Sequence, residues 1–129
     1  MEVAVFSDKI RVLIADDHPL FAETLEALLT TDERIDVIGT ARDGKEAVRL
    51  WRKLRPDVIL MDISMPVMDG FEATRLIRKE RDDACVLMLT GSNARTDVDL
   101  ARKAGAAGYV TKDRIAADLI EAIVEAAGR

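Results

Sequence analysis

Two apolar runs, Val58-Ile59-Leu60-Met61 and Cys85-Val86-Leu87-Met88-Leu89, constrain the fold more than any other feature of the chain. Neither alternates apolar with polar residues, so each reads as a strand covered on both faces, not one facing water. Strands of that kind belong to parallel sheets with helices packed on either side. The rest of the chain supplies those helices and three further strands. Ile10–Ala15 is a first β-rich run. Behind it, Leu20, Phe21, Thr24, Leu25, Leu28 and Leu29 recur at helical spacing, with Pro19 suited to a first turn. Residues 35–40 read as a second strand. Ala47, Val48, Leu50, Trp51 and Leu54 mark a second helix that Pro56 stops. A third helix follows Asp69-Gly70 and carries Phe71, Thr74, Leu76 and Ile77. A fourth is lined by Val98, Ala101 and Ala104 and ends at Gly105. Gly108–Thr111 reads as a fifth strand, and Leu119, Ile120, Ile123 and Val124 as the inner stripe of a fifth helix. Five βα units with short connections give an open, doubly wound α/β sandwich of the flavodoxin-like (βα)5 kind, with a parallel sheet in the order 2-1-3-4-5.

A chain of 129 residues suits one core, expected over residues 9–129 after a short N-terminal extension, 1–8. The opening Met1-Glu2-Val3-Ala4-Val5-Phe6-Ser7-Asp8 lacks the basic and long apolar regions of a secretory signal. No stretch is apolar enough to span a bilayer. A cytoplasmic address follows, with no membrane partner. The 19 basic and 24 acidic residues leave a net charge of -5, which argues against this chain alone gripping nucleic acid. Cys85 has no cysteine partner and reads as a small core hydrophobe. Met61, Met65, Met68 and Met88 read as core and loop filler, Trp51 as packing for the second helix, and Gly105 and Gly108 as turn residues.

The polar residues at the strand ends carry the chemistry. Asp16-Asp17 follow the first strand, Asp62 ends the third, Thr90 the fourth and Lys112 the fifth. In a doubly wound sheet ligands sit beyond the carboxyl ends of the strands where the winding reverses, here between strands 1 and 3. Converging carboxylates repel: two unit charges about 5 Å apart cost roughly 3 kcal/mol at an effective dielectric near 20. A proton or a cation must offset this, and hard oxygen ligands around an open site suit Mg²⁺. A carboxylate beside such an ion can act as a nucleophile toward phosphorus, with Lys112 and Thr90 as donors to the phosphoryl oxygens.

These residues, in order and each at a strand end, resemble the receiver domain of bacterial two-component response regulators. The matching elements are Asp16-Asp17, Met61-Asp62 with Met65-Pro66 and Asp69-Gly70, Leu89-Thr90-Gly91, and Tyr109-Val110-Thr111-Lys112. Asp16-Asp17-His18-Pro19-Leu20 further resembles the subgroup whose receivers precede a LuxR-type helix-turn-helix domain. The resemblance implies that Asp62 accepts phosphate from a sensor histidine kinase. It implies that Asp17 binds Mg²⁺ directly and Asp16 mainly through water, with Asp62 and the Ser64 backbone carbonyl completing the protein ligands. Lys112 would pair with the phosphate. Thr90 would move toward it, and Tyr109 would turn inward behind Thr90, altering the face made by helix 4, strand 5 and helix 5. That face, or helices 1 and 5, would form a homodimer, and DNA would be bound by a C-terminal domain absent from this chain. The family's lysine is commonly followed by a proline in a cis peptide; here Asp113 follows. Ser64 and Ser92 occupy positions that tune phosphate lifetime in the family.

Other readings compete. Asp16-Asp17 can cap helix 1. His18 suits a helix start near the pocket better than a ligand or phosphorelay histidine. Tyr109 suits a half-buried position with its hydroxyl at the rim. A phosphohydrolase of the haloacid dehalogenase kind wants a second aspartate where Ser64 stands. A flavodoxin-like cofactor binder wants a Ser/Thr/Gly-rich loop where Asp16-Asp17 stand. A receiver-like scaffold that takes no phosphate would not need the acceptor residues, all of which are present.

Overall fold

The computed structural model describes residues 9–91 and 95–128. Five strands, β1 (Ile10–Ala15), β2 (Ile35–Ala41), β3 (Val58–Asp62), β4 (Val86–Thr90) and β5 (Gly108–Thr111), form one parallel sheet in the order β2-β1-β3-β4-β5. The helices are α1 (Pro19–Leu29), α2 (Gly44–Leu54), α3 (Gly70–Glu80), α4 (Arg95–Ala104) and α5 (Ile115–Ala126), with a 3-10 turn at Lys112–Arg114. The expected sandwich, strand order and element sequence are all present. Every residue of β3 and β4 is buried, as their unbroken apolar runs require.

The sheet separates two cores. On one face Leu25, Leu29, Leu119 and Ile123 of α1 and α5 pack on Ile14, Leu60 and Leu89. On the other, Ala47, Trp51, Ala73 and Ile77 of α2 and α3 pack on Leu13, Ile59 and Met88. Each fully buried Leu or Ile contributes about 1.5–3 kcal/mol over an exposed one. Trp51 is buried as anticipated, with the Arg55 guanidinium 4.4 Å from its ring centroid. Cys85 is partly buried just before β4, and burial pushes its thiol pKa up, which keeps it an unreactive hydrophobe.

Sequence cues set the helix ends. Asp43 and Asp69 accept from the backbone N–H groups of Glu46 and Glu72, capping α2 and α3. Arg55 leaves α2 in the left-handed region ahead of Pro56. Gly105 turns the chain after α4 with φ 97, and Gly108 opens β5, the strand expected over Gly108–Thr111. A Cβ there would stand 3.3 Å from Leu87, so β5 lies close over its neighbour's side chain. The Lys112–Asp113 peptide is trans, as are all described bonds. The N-terminal extension 1–8 and Ser92 lie outside the described residues.

Two glycines fix the loop that follows β3. A Cβ on Gly70 would lie 2.1 Å from the Asp62 carbonyl oxygen, and one on Gly44 would lie 2.2 Å from that of Met68. The same two residues donate N–H bonds to Ile63 (2.8 Å) and Met68 (3.0 Å). Helices α2 and α3 thus clasp the loop from both ends, and only glycine permits the approach. Gly70→Ala, at a backbone-to-backbone contact, is expected to cost about 2–3 kcal/mol in urea unfolding; a loss within experimental error would show that the clasp is not needed.

Candidate functional site

Strand ends build the site from below. β1 delivers Asp16 and Asp17, β3 delivers Asp62, β4 Thr90, and the turn after β5 Lys112. Asp16, Asp62 and Thr90 are buried, Asp17 partly so. The Lys112 Nζ lies 3.3 Å from Asp62 Oδ1 and 3.5 Å from Asp16 Oδ2. It also sits 4.5 Å from the centroid of the Phe21 ring, so Phe21 steers the amine toward the carboxylates from α1. Helical spacing marked Phe21 as core; nothing in the sequence signalled that its ring face meets Lys112, because that depends on how α1 sits against β5. His18 begins α1 as expected. Its backbone N–H donates to Asp16 Oδ1 at 2.8 Å. Asp16 thus braces the turn ahead of α1; the helix takes no side-chain cap, so neither aspartate caps it as the competing reading would have it.

Three carboxylates meet one ammonium here. Asp62 Oδ2 and Asp17 Oδ1 are buried with no hydrogen-bond partner among the described residues. Burial, then the charge of Asp16, push the Asp62 carboxyl above its ordinary pKa of 3.8; Lys112 opposes this but does not outweigh it. One ligand atom from each of Asp16, Asp17, His18 and Asp62 lies within 4.8 Å of the others. Oxygen donors, two of them unpartnered, fit a hard divalent cation such as Mg²⁺. An open cleft of about 490 Å³ lies over the cluster, lined by Asp17, His18, Ser64, Met65, Pro66 and Phe71 among others. Ser64 is exposed on its wall.

Two further residues complete the expected set. Thr90 is the last residue of β4, where it pairs in register with Thr111, and it is fully buried. Tyr109 pairs with Met88, which puts it on the same face of the sheet as Thr90, and at 41% exposed it is close to the half-buried position that its ring and hydroxyl suggest. Tyr109 lines a small groove together with Gly108 and the small side chains of Ala101 and Ala106. Val67, 78% exposed beside the cleft, has φ 70, a conformation that β-branched residues strongly disfavour.

Two measurements check this description. Val67→Asn is expected to stabilise by about 1 kcal/mol, because asparagine accepts the left-handed backbone that valine resists; unchanged stability would mean that Val67 is unstrained. Asp62→Asn is expected to stabilise the metal-free protein at pH 7 by about 1–3 kcal/mol, by removing a buried charge with an unpartnered oxygen. The folded carboxyl holds its proton more tightly than the unfolded one, so its charge destabilises above the folded pKa. The advantage of Asp62→Asn must therefore shrink as pH falls through that value toward about 4. A gap that is constant or grows on acidification would contradict the burial argument.

Known proteins resemble this chain in sequence and in fold. The model of the response regulator receiver domain matches residues 12–124. The chain is 40% identical over 120 residues to the transcriptional regulatory protein MctR of Rhizobium johnstonii, across 93% of this chain and 56% of that one. The signal receiver domain of the response regulator NarL from Mycobacterium tuberculosis superposes with a TM-score of 0.89 at 34% identity, covering 94% of this chain and 98% of that one. A LuxR-family two-component response regulator from Aurantimonas gives 0.88 at 38% identity, over 94% and 87%. The chain spans about half the length of the curated relatives it matches. No described helix is long and apolar enough to cross a membrane. In sequence and in fold, the chain belongs to the family of receiver domains of two-component response regulators.

Proposed function

We propose that this chain is a phosphorylation-controlled switch that accepts a phosphoryl group on Asp62. The observation that carries the reading is the state of that side chain. It ends a buried strand with one oxygen on Lys112 and the other without a partner among the described residues, beside two more aspartates. The donor is a histidine kinase. An Asp62 oxygen forms a bond to phosphorus as the phosphohistidine P–N bond breaks, and the imidazole leaves with that electron pair. Asp16, Asp17, Asp62 and the Ser64 carbonyl hold Mg²⁺, which supplies positive charge against the carboxylates and the phosphoryl oxygens. Lys112, already within reach of Asp62, turns to the phosphoryl oxygens.

Thr90 and Tyr109 read the event. The Thr90 hydroxyl moves toward the phosphoryl group, and Tyr109, now exposed over a groove of small residues, turns inward. The face of α4, β5 and α5 changes with it, and either that face or α1 with α5 forms the homodimer contact. Relatives about twice as long, named as transcriptional regulators, support a helix-turn-helix partner domain that binds DNA in the full protein. The chain is a signalling module and not a turnover enzyme, and it works in the cytoplasm.

Beryllofluoride with Mg²⁺ mimics the acyl phosphate and tests this directly. Tyr109 is the sole tyrosine, so 3-fluorotyrosine gives one ¹⁹F resonance. That resonance is expected to shift on adding both reagents to the wild type and to stay put in Asp62→Asn. An equal response in the two proteins would remove Asp62 as acceptor. A wild type that binds beryllofluoride without moving the resonance would remove Tyr109 as the reporter.

A further inference from the structure

His18 is the residue of the cleft that the phosphoryl chemistry leaves unused. Its side chain is 66% exposed, so no packing force holds the ring in place, yet the ring turns back over the acid pair. Nδ1 lies 3.2 Å from Asp16 Oδ1 and 3.0 Å from Asp17 Oδ1. Only the first contact has the geometry of a hydrogen bond; Asp17 Oδ1 stays buried without a partner among the described residues. Asp62 Oδ2 is in the same position, on a side chain 95% buried by its 5% exposure. Unpartnered oxygens on two of three carboxylates point to an absent cation, and His18 stands inside the set of atoms that would surround it. The spacing agrees. Two ligands at right angles on a metal with bonds near 2.1 Å stand about 3.0 Å apart, the separation of Nδ1 from both aspartate oxygens.

The geometry points to His18 as a further ligand of the ion held by Asp16, Asp17 and Asp62, its Nδ1 giving the site a preference for borderline divalent ions such as Co²⁺ over Mg²⁺. The inference rests on the proposed metal-binding role of the three aspartates and adds a ligand to it. Mg²⁺ is hard and gains little from an imidazole, whereas affinity for Co²⁺, Ni²⁺ and Zn²⁺ rises when nitrogen joins oxygen ligands. Ligation through Nδ1 places the ring proton on Nε2, at the exposed side, where water accepts it. The competing arrangement keeps the proton on Nδ1, donates it to Asp16, and leaves the imidazole out of the coordination shell.

Titration calorimetry of Mg²⁺ and Co²⁺ on the full chain, wild type and His18→Ala, separates the two, with NMR of the Co²⁺ form as an independent readout. His18→Ala keeps the backbone N–H bond to Asp16, and unchanged Mg²⁺ affinity reports that the fold and the acid cluster are intact. The expected result is a loss of about tenfold or more in Co²⁺ affinity, the scale on which metal-site partners act, with Mg²⁺ affinity changed less than about twofold. The wild type should also show a strongly shifted exchangeable proton from Nε2–H that is absent from His18→Ala. Equal affinities in the two proteins would overturn the inference and leave the aspartate site standing. Equal losses for both ions would overturn it too, making His18 a positioning residue for Asp16. If neither ion binds the wild type, the aspartate site itself falls, and this inference with it.

Discussion

The structure is organised around an imbalance of charge. Asp16, Asp17 and Asp62 gather at the ends of two adjacent strands, and one ammonium, that of Lys112, stands against them. Each carboxylate pair at about 5 Å costs roughly 3 kcal/mol at an effective dielectric near 20. Lys112 offsets part of this through its contacts with Asp62 and Asp16, but Asp62 remains shifted toward its protonated form and two oxygens remain without donors among the described residues. A divalent cation has the charge to complete such a cluster, and the proposed phosphoryl group would enter with it; until then the rest of the molecule must hold the repelling groups in place.

Rigidity comes from backbone rather than from the charged groups. β3 is buried on both faces, so Asp62 cannot swing toward solvent without dragging an apolar strand with it. Gly70 and Gly44 hold the following loop against the ends of α3 and α2, where a single methyl group would collide with a carbonyl oxygen. Lys112 is aimed from the opposite side by the ring of Phe21. The β5 side is built differently: Gly108 and the alanines near α4 line a groove with the partly exposed Tyr109, room into which the proposed switch would turn the ring.

Much of this was legible in the residues. Continuous apolar runs at 58–61 and 85–89 dictated a two-sided parallel sheet, and punctuation after each run located Asp16, Asp17, Asp62, Thr90 and Lys112 on one edge. The features that escaped are those set by contact between distant elements. Nothing local distinguishes Phe21 from the other apolar residues of α1, yet its ring meets the Lys112 amine. Gly108 was placed at the start of the fifth strand, but its close approach to Leu87 was not legible. Tyr109 was legible as half-buried; the groove of small residues beside it was not, because its lining comes from α4 and the chain before β5. His18 was placed correctly at the start of α1, but the direction of its ring follows from the pocket and not from the helix.

The central claim is that the carboxylate cluster is incomplete without a divalent cation, and the most direct measurement is the thermal midpoint against Mg²⁺ concentration. A ligand that binds only the folded state raises stability by RT ln(1 + [L]/Kd), which is about 2.7 kcal/mol at a hundredfold excess over Kd. The account predicts a midpoint that climbs steadily with Mg²⁺ in the wild type and is nearly flat when Asp17 is replaced by asparagine. A wild-type midpoint indifferent to Mg²⁺ at millimolar concentrations, or one that rises equally in the Asp17→Asn protein, would contradict it.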